Sequence, residues 1–195
     1  LFDAGGLKEM KEPVLVATTD GVGTKTLLAL QAGKVSGLGF DLVNHSVNDL
    51  LAQGALPLFF MDYLAASRLE EEVLSALLTS LAEACKALGI PLLGGETAEM
   101  PGVYREGAWD VVGTLVGVVE KGEILGPERV QEGDLLLALP SSGPHTNGYS
   151  LIRKVVEGLD LEAPVPELGE SLKEALLRPH RAYLKEFLTL REAGV

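Results

Sequence analysis

Between residues 70 and 88, Leu74, Leu77, Leu78, Leu81, Ala84, Cys85 and Leu88 recur at three- and four-residue spacing. This predicts an amphipathic helix over 70–88, with Glu70, Glu71 and Glu72 in the first turn, where the helix dipole favours acids, and Gly89 as its cap. Such a stripe must be covered by another layer. The flanking segments supply one: Val14–Thr18, Leu58–Ala65, Pro91–Leu93, Trp109–Val119 and Asp134–Leu139 are short and β-rich and read as strands. Helices are predicted at 25–31, 40–53, 149–157, 172–177 and 181–192, with Pro57 at the start of the second strand and Pro179 between the last two helices. The order is strand, helices, strand, long helix, three strands, helix. This predicts an α+β (α/β sandwich) fold, a mixed sheet covered by helices, and the missing strict β–α alternation argues against a dinucleotide-binding domain.

Composition narrows the function. Hydrophobic residues make up 47% of the 195, enough for a buried core. The net charge is −12, and no basic stripe is present, which argues against nucleic acid as partner. The single thiol, Cys85, sits in the helical apolar pattern and reads as a small buried hydrophobe, so neither a disulfide framework nor a zinc site is expected. No signal peptide or bilayer-length apolar run is present, and a reducing cytoplasm is expected. Leu1 is not a start residue, and the chain is expected to be part of a longer protein.

Four segments carry chemistry. Thr19-Asp20-Gly21-Val22-Gly23-Thr24-Lys25 follows a strand and opens a helix. Its glycines let backbone N–H groups approach an anion, Lys25 adds positive charge, and Asp20 offers a hard oxygen for Mg²⁺. The Walker A spacing is absent, and an ordinary strand–helix turn is an equal alternative. On the helix over 40–53, Asp41, His45, Asn48 and Asp49 fall within roughly one third of the circumference. That stripe lacks the Lys and Glu of a solvated face, which favours a ligand-facing role, with His45 read as a structural histidine whose hydrogen bonds are satisfied. Gly94 to Gly102 (GGETAEMPG) places Glu96 after a strand on a glycine turn, suited to a cation site with Asp20 and Asp49. Ser141 to Ser150 (SSGPHTNGYS) sets His145 and Asn147 in a loop where His145 can act as acid–base or phosphate contact, and where helix capping is the plainer role. No G-x-S-x-G elbow supports a hydrolase.

Taken in order, these segments resemble the successive motifs of the phosphoribosylformylglycinamidine cyclo-ligase (aminoimidazole ribonucleotide synthetase) family. Glu12–Val16, Gly54–Tyr63 and Gly117–Lys121 extend the likeness over most of residues 10–158. The resemblance implies a fold, the N-terminal domain of that superfamily over 1–158, with 159–195 as connection and start of a C-terminal domain. It implies a reaction, the ATP-dependent closure of formylglycinamidine ribonucleotide to aminoimidazole ribonucleotide in purine biosynthesis, with release of ADP and phosphate. It implies ATP and Mg²⁺ as cofactors, and a homodimer formed by pairing N-terminal sheets. By position, Asp20, Asp49 and Glu96 would be metal or phosphate-site carboxylates. Gly21, Gly23, Thr24, Lys25 and Asn147 would be phosphate neighbours, and His145, Asp20 and Lys25 would be catalytic. A glycine-rich phosphate loop that family members carry before the position of Leu1 is not in this sequence, so the chain by itself is expected to be inactive. The alternatives are another ATP-using member of the superfamily, of formylglycinamidine synthetase or thiamine-monophosphate kinase type, or a non-catalytic nucleotide-binding or dimerisation module.

Overall fold

The computed structural model describes residues 1–194. Strand β1 (Pro13–Gly21) is followed by helices α1 (Lys25–Gln31) and α2 (Leu38–Leu51), strand β2 (Leu56–Ala66), helix α3 (Glu71–Leu88), and strands β3 (Leu92–Glu99) and β4 (Trp109–Glu120). Helix α4 (Tyr149–Val155), a two-residue hairpin β5 (Pro164–Val165) and β6 (Glu170–Ser171), and helices α5 (Leu172–Leu176) and α6 (Leu184–Glu192) complete it.

The four long strands form one mixed sheet in the order β1-β4-β2-β3. β4 runs antiparallel to both β1 and β2, while β3 runs parallel to β2 and reaches it through α3, as a parallel connection requires a crossover. One face of the sheet is covered by α2, which also packs against α3. Along β4, Trp109, Val111, Gly113 and Leu115 are buried and alternate with partly exposed residues, so the period of two assigns the odd positions to the helix side. Phe60 and Leu64 of β2, Leu42, Val43, Val47 and Leu50 of α2, and Leu77 and Leu81 of α3 form the core between the layers. Each such side chain contributes roughly 1.5–3 kcal/mol by leaving water. On the other face Leu15 and Met61 are exposed. Cys85 is buried in the core, and burial pushes its thiol up to about 12, in keeping with a hydrophobe's role.

The mixed sheet with helices matches the expectation, and α3 matches it nearly residue for residue, including Gly89 in the left-handed region at φ 69°. Three local expectations are corrected. β1 continues through Thr19, Asp20 and Gly21, and β3 continues through Gly94-Gly95-Glu96 to Glu99, where turns were expected. In both cases a neighbouring strand supplies hydrogen-bond partners that override glycine's weak strand preference. Residues 134–139 form no strand. Leu135, Leu136 and Leu137 are exposed by 89%, 99% and 65%, and no described strand lies alongside to pair with them.

The contact between α2 and α3 depends on Gly39. A Cβ there would lie 2.3 Å from the backbone nitrogen of Leu81 and 2.4 Å from Ser80 Oγ, which donates to Leu77 and accepts from the Gly39 N–H. Gly39→Ala is therefore expected to destabilise the fold by about 1–3 kcal/mol in urea unfolding. Gly122→Ala, where a Cβ meets nothing within 4 Å, serves as control; equal effects of the two would remove the close-packing argument.

Candidate functional site

The end of β1 and the middle of α2 bring the first group together. Asp20 shares a sheet row with Gly113 of β4 and Asp62 of β2, so its side chain stands on the helix-covered face. Its Oδ1 accepts the N–H of Gly21 at 2.7 Å, and its Oδ2 lies 3.8 Å from His45 Nε2. Asp49, one turn beyond His45 on α2, accepts the Thr18 hydroxyl at 3.0 Å. Ligand atoms of Asp20, His45 and Asp49 all lie within 4.8 Å of one another, the two carboxylates exposed and the imidazole buried. Burial pushes the His45 pKa down, with Asp20 and Asp49 pulling the other way. His45 is not the satisfied histidine expected, because both of its ring nitrogens are buried without a hydrogen-bond partner.

Glu96 is not in this group. It follows Gly95, which pairs with Asp62, so it occupies the next position along β3 and stands on the opposite face of the sheet.

Asp20, Gly21, Gly23, Thr24 and Asn147 do come together. With Val22, Thr146, Gly148, Tyr149 and Ser150 they line a cleft of about 320 Å³, and Thr24 Oγ1 lies 3.2 Å from Ser150 Oγ across it. Two segments more than a hundred residues apart in sequence thus form its two walls. Among the described residues, no Lys, Arg or His lines it.

Lys25 was expected to put its charge beside phosphate, and here the structure corrects the sequence. Its ammonium is fully buried and all three donors are used: Asp41 Oδ1 at 2.8 Å, the His145 carbonyl at 3.0 Å and the Arg178 carbonyl at 2.9 Å. The Tyr149 ring lies 5.4 Å away. Asp41 Oδ1 also accepts the His180 N–H at 2.7 Å. Burial lowers the Lys25 pKa against the pull of Asp41, and it raises Asp41 to about 6 against the pull of Lys25 and the His180 N–H.

The polar stripe of α2 accordingly divides. Asp41, Asn44 and Asn48 grip the segment 180–183: Asn44 donates to the His180 carbonyl, Asn48 donates to the Arg181 carbonyl, and Asn48 Oδ1 accepts the Tyr183 N–H. Only His45 and Asp49 remain for the carboxylate cluster.

His145 holds the one positive φ among described non-glycine residues, at 60°. Its ring stacks on His180 at 4.0 Å between centroids, and its Nε2 accepts the Ser142 N–H at 3.3 Å. It stands behind the cleft wall rather than in it. His180, which no sequence motif singled out, sits between Asn48 and Thr146, at 3.0 Å and 3.3 Å from its two ring nitrogens. Burial first, then the neighbouring His145, His45 and Lys25, push it down to about 3.

A family profile described as "AIR synthase related protein, N-terminal domain" matches residues 3–119. The phosphoribosylformylglycinamidine cyclo-ligase of Desulfitobacterium hafniense (strain Y51) is 50% identical over 187 residues, which is 96% of this chain and 55% of that protein. The enzyme of the same name from Lactococcus lactis subsp. lactis (strain IL1403) is 50% identical over 190 residues, 97% of this chain and 56% of that protein. The chain thus spans about half the length of the curated relatives it matches. Among solved structures, thiamine-monophosphate kinase from Stenotrophomonas maltophilia K279a superposes with a TM-score of 0.63 at 25% identity, covering 93% of this chain and 54% of the other. The protein tt0281 from Thermus thermophilus gives 0.51 at 31% identity, covering 63% and 38%.

The buried network can be tested in two ways. Lys25→Met leaves Asp41 uncompensated and is expected to cost about 3–5 kcal/mol in urea unfolding, while Lys25→Met with Asp41→Leu recovers a large part of it. A single variant within about 1 kcal/mol of wild type would show that the pair holds nothing together. The second test concerns acid. His180 takes up a proton near 6.5 when unfolded but only near 3 when folded, so its contribution to stability is lost as pH falls from 6.5 towards 3. Asp41 acts oppositely, since its raised pKa makes its contribution grow as pH falls through about 6. The histidine displacement is the larger, and burial lowers His45 and His145 in the same direction. The melting temperature should therefore fall between about pH 7 and pH 5, and His180→Asn should flatten that slope. A flat profile in the wild-type chain contradicts this assignment.

Proposed function

Because the chain belongs to the AIR synthase related protein family, we propose that it forms the nucleotide- and metal-binding half of an enzyme that closes formylglycinamidine ribonucleotide to 5-aminoimidazole ribonucleotide, consuming ATP. The observation that carries this reading is 50% identity, across 96% of the chain, to a protein named for that cyclo-ligase activity.

The cleft between residues 20–24 and 146–150 is the place for the triphosphate. Gly21 and Gly23 keep side chains out of the way of backbone N–H groups, and the Thr24 hydroxyl and Asn147 amide add neutral donors. Because Lys25 is bound internally and no basic side chain among the described residues lines the cleft, neutralisation of phosphate charge would fall to a divalent cation, Mg²⁺ in the first instance. Asp20 and Asp49 would hold it, leaving positions for water and phosphate oxygens. When bound, the ion supplies charge stabilisation to the transferring phosphoryl group. In the reaction the formamide oxygen takes the γ-phosphoryl group from ATP, an amidine nitrogen attacks the activated carbon, and the C–O bond to phosphate breaks. An amide oxygen is a poor leaving group, and phosphorylation makes it a good one. The protein's part is to position the reactants and to exclude water. His145, stacked behind the wall, would orient the loop that carries Asn147.

Residues 1–158 would be the nucleotide-binding and dimerisation domain and 159–195 the start of a second, with the sheet face that exposes Leu15 and Met61 meeting a second copy. Glu96 shares that face, so it would reach a cation only where two copies meet. No helix among the described residues is long and apolar enough to cross a membrane; it is the family reading that would put the reaction in the cytoplasm.

In the full-length protein, ADP release should depend on formylglycinamidine ribonucleotide; nucleotide hydrolysis indifferent to it would overturn the cyclo-ligase reading. Asp20→Asn should lower turnover by about 100-fold or more, equivalent to about 2.7 kcal/mol of transition-state stabilisation.

A further inference from the structure

His45 is 5% exposed, and neither Nδ1 nor Nε2 has a hydrogen-bond partner. A buried imidazole with both nitrogens unsatisfied is uncommon and requires an account. The surroundings offer one. The Asp20 oxygen that faces His45 Nε2, at 3.8 Å, is Oδ2, while Oδ1 is held by the Gly21 N–H. Asp49 is held in turn by the Thr18 hydroxyl. Each carboxylate is thus steadied by a donor of its own, the arrangement that orients metal ligands. Two ligands each about 2.1 Å from one ion can be no more than about 4.2 Å apart, and the Nε2–Oδ2 separation lies within that span. Asp49, exposed, offers a carboxylate oxygen within 4.8 Å of the other two ligand atoms.

We propose that His45 Nε2 is a third ligand of the cation held by Asp20 and Asp49, so that this site prefers a borderline divalent ion such as Mn²⁺ over Mg²⁺. The proposal rests on the reading of Asp20 and Asp49 as a cation site and adds to it the ligand that sets the ion. Mg²⁺ is a hard ion that takes oxygen ligands. Replacing one oxygen by imidazole nitrogen raises affinity for first-row transition ions and gives Mg²⁺ little. The ligand must be neutral, and burial favours the neutral imidazole. The two carboxylates balance the ion's two charges, and the imidazole closes the site from the core side. The exposed side is left for water or phosphate oxygens.

The test uses the chain with Mn²⁺ alone, without nucleotide. Electron paramagnetic resonance of free Mn²⁺ gives its affinity, Mg²⁺ competition gives the preference, and electron-spin-echo modulation reports a directly bound nitrogen. The wild-type chain should show nitrogen modulation and bind Mn²⁺ at least about 10-fold more tightly than Mg²⁺. His45→Leu should abolish the modulation and weaken Mn²⁺ by about 10–100-fold while changing Mg²⁺ far less, and Asp49→Asn should weaken both. Should His45→Leu not fold, wild-type chain labelled with heavy nitrogen in histidine alone must change the modulation pattern. Bound Mn²⁺ without nitrogen modulation, an unchanged Mn²⁺/Mg²⁺ ratio in His45→Leu, or no Mn²⁺ binding at millimolar concentration each overturn the proposal. An oxygen-only signal beside substrate-dependent ADP release removes His45 alone. A nitrogen signal without such release removes the cyclo-ligase reading and leaves the site.

Discussion

The buried ion pair between Lys25 and Asp41 holds the functional region in one arrangement. Lys25 continues the backbone of one cleft wall, and its ammonium grips the His145 carbonyl at the base of the other. Through the Arg178 carbonyl and the Asp41–His180 contact the same pair draws in the segment that follows α5. Moving two charges out of water costs several kcal/mol each, and one carboxylate–ammonium contact in a low dielectric does not reliably offset it. What offsets it is the surrounding set of three acceptors on the ammonium and the backbone N–H on the carboxylate. Removing one partner would leave a charge in the core, so the pair is kept or lost as a unit. Its effect is geometric, since four segments distant in sequence meet at one point.

The sheet sorts the acidic residues by a simpler rule. Along the row Asp20–Gly113–Asp62–Gly95 all side chains share the helix-covered face, and one step along each strand reverses it. Glycine at two of the four places is a packing requirement, because a Cβ at Gly113 would lie 2.2 Å from the Phe60 ring and one at Gly95 would lie 2.0 Å from the Asp62 carbonyl. The same parity puts Asp20 beside α2 and Glu96 on the far face. Similar carboxylates, each set in a glycine-rich motif, are thereby given different neighbours.

What could be read from the sequence follows from how local each signal is. α3 carries its own period, its acidic first turn and its glycine cap, and it appears where expected. The buried part of β4 alternates and was equally legible. β3 was read short, because glycine signals a turn unless a neighbouring strand supplies partners, and β2 lies far away in sequence. The run at 134–139 fails for the opposite reason, since it has strand composition but no described neighbour. Gly21, Gly23, Thr24 and Asn147, grouped by the sequence motifs, do line one cleft. The direction of the Lys25 ammonium was not, because a lysine after a glycine loop serves equally as phosphate contact or as internal clamp, and Asp41 decides between them only after α1 and α2 have packed. His180 carried no signal of its own. A hint lay in the asparagines of α2, poor helix formers whose amides needed partners.

This bears on how a chain of net charge −12 can receive a polyanion. The cleft offers hydroxyls, an amide and backbone N–H groups, and the nearest ammonium is committed inside the protein. Dipoles can orient phosphate oxygens but do not cancel several negative charges, least of all beside exposed Asp20 and Asp49. Those two carboxylates would repel a bare triphosphate, and they attract it only when a divalent ion stands between. An arrangement of this kind would make nucleotide binding conditional on the metal. It would discriminate between free and metal-bound nucleotide by repulsion, which a cationic side chain in the cleft would abolish. On the proposed reading, internalising Lys25 would do two things at once: it joins the walls, and it would leave charge compensation to a divalent ion.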